Sequence, residues 1–272
     1  MTTVLDIYLD AVNYSQASKM IGEWAAHKEG RFVCAANTHM IMESHDVPLY
    51  KQIINSSDLV VPDGMPVVWM MRLKGQKDQR RVYGPTLMLH VLDLAACKKI
   101  PIGFYGGSPE VLGKLILKMQ ERFQELQIVY AFSPPFRDLN ESEKKDVVQE
   151  IKNSGAQILF VGLGCPRQEV WMAEQRNAIN AVMLGVGAAF DFHAGVKPQS
   201  PAWLQRLGLE WFFRLLTEPR RLWRRYLYHN PRFVVLAILD LLGVYKVACF
   251  EDSRLILLFF QWCWIYWRFR QG

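Results

Sequence analysis

Several patterns that assign a chain to a common class are missing from this sequence. Its five cysteines are odd in number and form no Cys-x-x-Cys pair, so neither a disulfide framework nor a zinc knuckle is indicated, and a reducing cytosol fits best. The sequence also has no Gly-x-Gly-x-x-Gly fingerprint with a ribose-binding acid about 20 residues later, and a nicotinamide-dependent oxidoreductase needs both. These absences disfavour that class of enzyme.

No apolar run reaches the roughly 20 residues that a helix needs to cross a bilayer. Residues 255–270, LILLFFQWCWIYWRFR, come nearest, and their length favours an anchor that lies in the membrane plane or re-enters it. The N-terminus carries Asp6 and Asp10 where a secretory signal has a basic region and an unbroken apolar run. We therefore expect a mature N-terminus.

The composition predicts a folded, basic protein. The chain has 272 residues and is 51% hydrophobic, which is enough to bury a substantial core in one large domain, or in one domain with an appendage. The formal net charge of +6 favours anionic partners, such as nucleic acid, acidic lipid headgroups or phosphorylated substrates. Charge alone does not choose among these partners.

Six short apolar runs end in small or turn residues, and most precede helix-like stretches. The runs are RFVCAAN, SDLVVPDG, PIGFYGG, IVYAFSPP, AQILFVGLG and NAVMLGVG. Strands that alternate with helices form a mainly parallel sheet covered on both faces, so the sequence predicts an α/β fold. Ligands of such sheets bind beyond the carboxyl ends of the strands. The residues predicted at those ends are Asn37, Asp63, Gly106, Gly107, Gly164 and Gly187.

The composition changes near residue 197. Residues 197–232 contain eight Lys or Arg against two acids, and six of the nine tryptophans follow residue 196. Tryptophan beside arginine is typical of a membrane interface, whereas the alternative is a helical subdomain with a solvated basic face. We predict a core over residues 1–196 and a helical, membrane-binding appendage over residues 197–272.

Two glycine turns are candidate ligand sites. Gly106 and Gly107 precede a helix start with Ser108 as its N-cap, and the free amides of such a start suit a phosphate or a nucleotide edge. A plain tight turn is the alternative. The layout recurs in FVGLGCPRQEVW, where Gln168 and Glu169 either face a ligand crevice or cap the helix.

Asp63 lies in a Pro-Asp-Gly turn just past a buried strand. Aspartate in such a turn is ordinarily a turn former, but a carboxylate at this place can also act as a general base for an attacking hydroxyl. Other ionisable residues lie close by without metal-ligand spacing, so we expect them on the surface of a helix. They are His39, Glu43, His45 and Asp46.

No Asp-x-Asp triplet occurs in the chain, which removes the usual acidic device for holding a divalent cation on a nucleotide-sugar diphosphate. Fixed cations must then balance a leaving diphosphate. Arg81 and the arginines of EWFFRLLTEPRRLWRR are the candidates, because guanidinium groups match phosphate oxygens. If a helix restarts at Pro219, then Arg221, Arg224 and Arg225 share one face.

Seven ordered motifs between about residues 30 and 232 resemble the WecG/TagA/CpsF family of glycosyltransferases. They are AANTHMIM, DLVVPDGMPVVW, RVYG, GFYGG, GLGCPRQEVW, GAAFDFHAG and LGLEWFFRLLTEPRRLWRRY. The resemblance implies a Rossmann-like core and metal-independent, inverting transfer from a UDP-sugar, with no cofactor. It also implies a C-terminal appendage that meets the membrane and completes the active site.

The resemblance further implies roles for individual residues. Asp63 is the expected base, Arg81 contacts phosphate, and Asn37 and Gln168 line the donor and acceptor pocket. Asp191 lies near the nucleotide base. The appendage arginines implied to close over the diphosphate are Arg214, Arg221 and Arg224. The sequence departs from some members of the family at Ala35, where a threonine hydroxyl is lost.

The partners implied are a UDP-sugar donor, with N-acetylmannosamine or its uronic acid as first choice, and a polyprenyl-diphosphate-linked acceptor sugar. Both belong to cell-surface polysaccharide synthesis on the cytoplasmic face of the cell membrane, with the enzyme bound peripherally. The alternatives are a membrane-bound nucleotide-sugar-binding protein without catalysis and, less favoured, the nicotinamide-dependent oxidoreductase. No nucleic-acid-reading motif accompanies the basic charge, so nucleic acid is not an expected partner.

Overall fold

A computed structural model describes residues 2–245 and confirms the predicted α/β fold. Six strands form one parallel sheet in the order β4-β3-β8-β7-β5-β6, and β1 and β2 form a separate antiparallel pair. The strands are β1 (Thr2–Val4), β2 (Ile7–Leu9), β3 (Arg31–Ala36), β4 (Leu59–Pro62), β5 (Ile102–Gly106), β6 (Ile128–Phe132), β7 (Ile158–Gly162) and β8 (Val182–Gly185). Each of the six predicted strands lies in the large sheet.

Helices connect the strands and cover both faces of the sheet. The helices are α1 (Tyr14–Ala26), α2 (Thr38–Asp46), α3 (Pro48–Asn55), α4 (Met65–Leu73), α5 (Gly84–Lys98), α6 (Pro109–Arg122), α7 (Glu141–Ser154), α8 (Arg167–Gln175), α9 (Ala189–His193), α10 (Ala202–Arg206), α11 (Glu210–Thr217) and α12 (Pro219–Leu241). Helix α6 begins as predicted, because the Ser108 side chain accepts a hydrogen bond from the Val111 amide.

Two hydrophobic clusters bury the two faces of the sheet. On one face, α1, α5, α6 and α9 pack around Phe104, Phe160 and Phe190, and the ring of Phe104 lies with its centroid 5.6 Å from each of the other two. On the other face lie α2, α3, α4 and α8 with the β1–β2 pair. Every residue of β4, β5 and β8 is buried, in agreement with their continuous apolar runs, whereas residues of the edge strand β6 are partly buried or exposed.

The region after residue 197 packs against the second face through α12. Phe233, Leu236 and Ala237 belong to the hydrophobic cluster of that face. Asp240 accepts hydrogen bonds from the Leu5 amide (3.0 Å) and from Lys74 Nζ (2.6 Å). The described part of the predicted appendage therefore shares apolar and ionic contacts with the core, and its boundary at residue 196 stays a prediction.

None of the helices described within residues 2–245 combines the length and apolarity needed to cross a membrane. The segment 255–270, for which we predict a membrane anchor, lies outside the described residues.

The carboxyl ends of β3 and β4 meet at one edge of the sheet and bring two predicted site residues together. Asn37 follows β3 and Asp63 follows β4, and these strands are neighbours. A Cβ atom on Gly64 would lie 3.2 Å from Asn37 Cα, so the absence of a side chain lets the two turns approach. Asn37 also begins α2, because its side chain accepts from the amides of His39 and Met40.

Candidate active site

A cleft of about 710 Å³ lies beside this sheet edge, between the core and the region after residue 197. Its walls come from the start of α2, one side of α4 along its length, the segment before α11, α11 itself, and α12. One end carries ionisable and polar side chains, which are Asn37, His39, Asp63, Arg81, Glu210, Arg214, Arg225 and His229. The other end is lined mainly by apolar side chains of α4 and α12.

Asp63 is held at the polar end with its carboxylate largely buried. The residue is 9% exposed, Oδ1 accepts from the Gly84 amide at 2.9 Å, and Oδ2 lies 3.5 Å from Asn37 Nδ2. Burial raises the pKa of Asp63, while Arg81 opposes that shift and Glu210 adds to it. The carboxylate is thus oriented by donors and has a raised affinity for a proton, as a general base requires.

Arg81 connects the core to α11. Its Nε donates to the Asp63 carbonyl oxygen, and Nη2 lies 3.7 Å from Asp63 Oδ1 and 2.6 Å from Glu210 Oε2. The guanidinium also stacks over the Tyr83 ring, whose hydroxyl donates to Glu210 Oε1 at 3.0 Å. Two carboxylates therefore engage Arg81, and its expected contact with phosphate stays a prediction.

Glu210 is a site residue that sequence reasoning missed. It is separated from Arg81 by 129 positions, and no spacing pattern connects the two. Composition could have indicated it, because Glu210 is one of two acids within the strongly basic residues 197–232. An acid in such a segment is expected to pair with an arginine or lysine, and here the partner is Arg81 of the core.

A second group of ionisable residues faces the cleft from α2, α11 and α12. Four nitrogens in it are buried and have no hydrogen-bond partner among residues 2–245: Nδ1 of His39, Nε of Arg214, Nε of Arg225 and Nδ1 of His229. Burial lowers the pKa of Arg225, lowers that of His39 to about 2 and also lowers that of His229. The histidines are therefore neutral at neutral pH, and the group holds two guanidinium charges.

His39 and His229 also approach Glu43, and their ligand atoms lie within 4.8 Å of one another. These three residues are the group within residues 2–245 that could hold a metal ion. The expectation that His39 is a surface residue was wrong, because its side chain is 12% exposed and its ring lies against that of His229 on α12. Spacing along the sequence could not reveal this group, because one member comes from a distant helix.

The three appendage arginines implied by the resemblance separate in the structure. Arg214 lines the cleft, with its guanidinium over the Phe192 ring. Arg221 instead pairs with Glu218 at 2.6 Å, and Arg224 is exposed over the Trp223 ring. Neither of these two residues lines the cleft. Helix α12 does begin at Pro219, but of the three arginines expected on one face of it, Arg225 alone lines the cleft.

Gln168, Asp191, Gly106 and Gly107 lie at the carboxyl ends of other strands and do not line this cleft. Gln168 is buried, accepts from the Gly164 amide at 3.2 Å and donates to the buried Glu169 at 2.6 Å. Gln168 thus holds the glycine turn that precedes α8, which has no side-chain cap hydrogen bond at Pro166, and its binding role stays a prediction.

The glycine turn ends β5, and Asp191 lies in α9, the helix that follows β8. Gly106 and Gly107 have φ angles of +124° and +71°, and a Cβ on Gly106 would lie 2.6 Å from the backbone of Gly162, so only glycine fits there. Asp191 pairs with Lys197 at 3.1 Å. A binding role for these residues stays a prediction.

Comparisons with known proteins agree with this architecture. Residues 2–246 match the family described as "Glycosyl transferase WecG/TagA/CpsF family". A protein of Bacillus spizizenii (strain ATCC 23059 / NRRL B-14472 / W23) is 31% identical over 232 residues, which cover 85% of this chain and 88% of the relative. A protein of Bacillus subtilis (strain 168) is 32% identical over 179 residues, covering 65% and 68% of the two chains.

Both relatives carry the name N-acetylglucosaminyldiphosphoundecaprenol N-acetyl-beta-D-mannosaminyltransferase. The family match spans nearly all of the described residues, and it includes the turns that carry Asn37 and Asp63 as well as α11 and α12. The chain therefore belongs to the WecG/TagA/CpsF family of glycosyltransferases.

Proposed function

We propose that this chain transfers N-acetylmannosamine, or its uronic acid, from a UDP-sugar to a sugar carried on a polyprenyl diphosphate. The reaction inverts the anomeric configuration, needs no metal ion and takes place at the cytoplasmic face of the membrane. One observation carries the proposal: a buried, oriented carboxylate lies in the same cleft as guanidinium groups with unpaired nitrogens. The names of the two relatives support the choice of sugar and acceptor.

In the proposed reaction, Asp63 removes the proton from the acceptor hydroxyl as that oxygen attacks the anomeric carbon. A new C–O glycosidic bond forms, and the bond between the anomeric carbon and the UDP oxygen breaks. The electron pair leaves with the diphosphate. Because attack and departure occur on opposite faces of the sugar, a single displacement inverts the configuration. The Gly84 amide and Asn37 hold the carboxylate in place during this step.

The charge that accumulates on diphosphate oxygens needs fixed positive groups. Arg214 and Arg225 lie in the cleft with unsatisfied Nε donors, and charge-assisted hydrogen bonds to phosphate are about twice as strong as neutral ones. The neutral His39 and His229 add hydrogen-bonding groups without adding charge. These residues supply the stabilisation that a divalent cation supplies in other enzymes, which supports metal-independent transfer.

We assign the donor nucleotide to the neighbouring strand ends. Gly106 and Gly107 form the turn into α6, and a helix start of this kind suits a phosphate. Asp191 lies in α9, the short helix that follows β8 and packs against α6. In this arrangement, the nucleotide occupies the carboxyl ends of β5, β7 and β8, while its sugar reaches toward Asp63 at the end of β4.

The surface of α10 to α12 supports peripheral membrane association. Trp203, Trp211 and Trp223 are exposed there, as are Arg221 and Arg224, and the Arg224 guanidinium lies over the Trp223 ring. Indole rings and guanidinium groups suit the headgroup region of an anionic leaflet. This surface supports a position in which the cleft opens close to the lipid-linked acceptor.

The test is to incubate the protein with a panel of radiolabelled UDP-sugars and membranes that contain polyprenyl-diphosphate-linked N-acetylglucosamine. We expect label to enter the lipid fraction with UDP-N-acetylmannosamine or its uronic acid. Transfer from another nucleotide sugar would correct the donor. Binding of UDP-sugars without transfer to any lipid acceptor would overturn the proposal in favour of a non-catalytic binding protein.

A further inference from the structure

The apolar end of the cleft is a groove with walls from two helices. Helix α4 contributes Trp69, Met70 and Leu73, while α12 contributes Val234, Ala237, Ile238 and Leu241. Both sets follow helical spacing of three or four residues, so each forms one stripe on its helix. The groove is built by two distant parts of the chain.

Both stripes start at the charged end of the cleft and lead away from it. Helix α4 begins two residues after Asp63, and the stripe of α12 follows directly after Arg225 and His229. At a rise of about 1.5 Å per residue, the eight steps from Met65 to the end of α4 extend about 12 Å. The groove therefore runs on from the reactive carboxylate as one continuous channel.

Large apolar side chains remain exposed along this groove. Leu73 is 68% exposed, Val234 55% and Ile238 52%. Such contiguous apolar surface marks a binding site more often than scattered residues do. At roughly 25 cal/mol per Å² of apolar surface removed from water, an apolar chain lying between the helices gains substantial free energy.

From this arrangement we propose that the groove between α4 and α12 binds the prenyl chain of the acceptor. This inference rests on the proposed function. Of the two substrates, the acceptor alone has an anionic head joined to a long apolar tail. The cleft has the matching character, because polar side chains that include the base Asp63 lie at one end and an apolar groove leads away from them.

The groove walls are held together independently of any ligand. Lys74, directly after α4, pairs with Asp240 of α12 at 2.6 Å, and Asp240 also accepts from the Leu5 amide. This ion pair lies next in sequence to Leu73 and Leu241, at the far end of the groove. The channel is thus preformed, which reduces the entropy cost of binding a flexible chain.

Two adjacent valines provide a matched test. Val234 lines the groove, whereas Val235 is 45% exposed but does not line it. We compare Val234→Glu with Val235→Glu, because both changes place the same charge on an exposed position of the same helix. The first readout is the Kd for an undecaprenyl diphosphate without sugar, in detergent micelles. We expect at least about a tenfold weakening for Val234→Glu, or about 1.4 kcal/mol, and no measurable change for Val235→Glu.

The second readout is the ratio of kcat/KM for a long-chain acceptor to that for a short-chain acceptor. Val234→Glu should lower this ratio at least about tenfold, while Val235→Glu leaves it unchanged. Equal losses in both variants would overturn the groove and indicate that α12 meets the bilayer as a general apolar face. Unchanged binding in Val234→Glu would overturn it as well.

The two proposals can fail separately. If the wild-type protein binds undecaprenyl diphosphate, Val234→Glu weakens that binding and the wild type transfers no sugar, the result contradicts the proposed function and supports the groove. A wild-type protein that transfers sugar equally well to long and short acceptors supports the function and overturns the groove.

Discussion

Two groups of ionisable residues in the cleft differ in how completely they are paired. In the first, Asp63, Arg81 and Glu210 satisfy one another through ion pairs and hydrogen bonds. In the second, Arg214 and Arg225 lie beside His39 and His229, and each of the four residues has a buried nitrogen without a partner.

A buried polar atom left unpaired costs about 1–3 kcal/mol, so in most natural sites a ligand or an ordered water completes such atoms. We therefore infer that the paired group orients a reactive side chain and that the unpaired group binds an anion. In both groups, the core contributes one part and the helices after residue 197 contribute the other. Variants of the two groups should accordingly affect different steps.

The largest expected effect comes from Asp63→Asn in the paired group. Turnover should fall by roughly 100-fold or more, because the amide keeps the shape of the side chain but removes the general base. Donor binding, measured by calorimetry with the UDP-sugar, should remain nearly normal. Near-normal turnover in this variant would rule out Asp63 as the base.

In the unpaired group, Arg225→Gln should lower kcat by about 100-fold, since loss of one fixed donor to a developing oxyanion typically costs that much. Arg224→Gln is the matched control, because it removes the same charge from the next residue, which is exposed outside the cleft. We expect the control to retain most of its activity. A larger loss in Arg224→Gln than in Arg225→Gln would favour the role implied by the family resemblance.

The pH profile distinguishes the two groups directly. Burial raises the pKa of Asp63 above the usual value near 3.9 for aspartate, and a general base acts only when deprotonated. The value of kcat/KM should therefore fall about tenfold per pH unit as the pH drops below that raised pKa. Because the pKa values of His39 and His229 are lowered, neither should add a transition near 6.5. If kcat/KM instead decreases below pH 6.5, and still does so in Asp63→Asn, the base is a histidine.

Glu210→Gln should have a smaller effect, with kcat reduced about tenfold, or about 1.4 kcal/mol. Glu210 acts through Arg81 as a positioning residue and also contributes to the raised pKa of Asp63. The acid limb of the pH profile should therefore move to lower pH in this variant. Glu218→Gln, which changes the other acid of the basic segment outside the cleft, should leave the limb in place. If the acid limb does not move in Glu210→Gln, Glu210 does not influence the pKa of Asp63 as we expect.

The smallest effect is expected from metal removal. Treatment with EDTA should leave the rate unchanged, because Arg214 and Arg225 supply positive charge and disfavour a cation beside them. The test is necessary because His39, Glu43 and His229 could hold an ion. Loss of activity that Mg²⁺, Mn²⁺ or Zn²⁺ restores would reassign this group to metal binding.

Local sequence patterns predict the sheet and one half of the site. The strands of the large sheet are continuous apolar runs followed by turn residues, as is typical of a parallel sheet covered on both faces, although the edge strand β6 is only partly buried. Asn37 and Asp63 follow two of these strands directly, so their position at one sheet edge follows from local pattern alone. The turn into α6 could also be predicted from the sequence, because its glycines and the N-cap Ser108 lie within a few residues of one another.

The other half of the site depends on how distant helices pack, and only the tertiary structure shows it. Each residue of a helix is rotated about 100° from the one before it, so Arg225 faces the cleft while Arg224 faces away. Which of these residues faces the cleft depends on how α12 packs on α2, and this packing cannot be predicted from the composition. The pairing of Arg81 with Glu210 and the groove between α4 and α12 likewise join distant parts of the chain. Such contacts arise when separate helices bury their apolar faces against one sheet, because burial fixes their rotation.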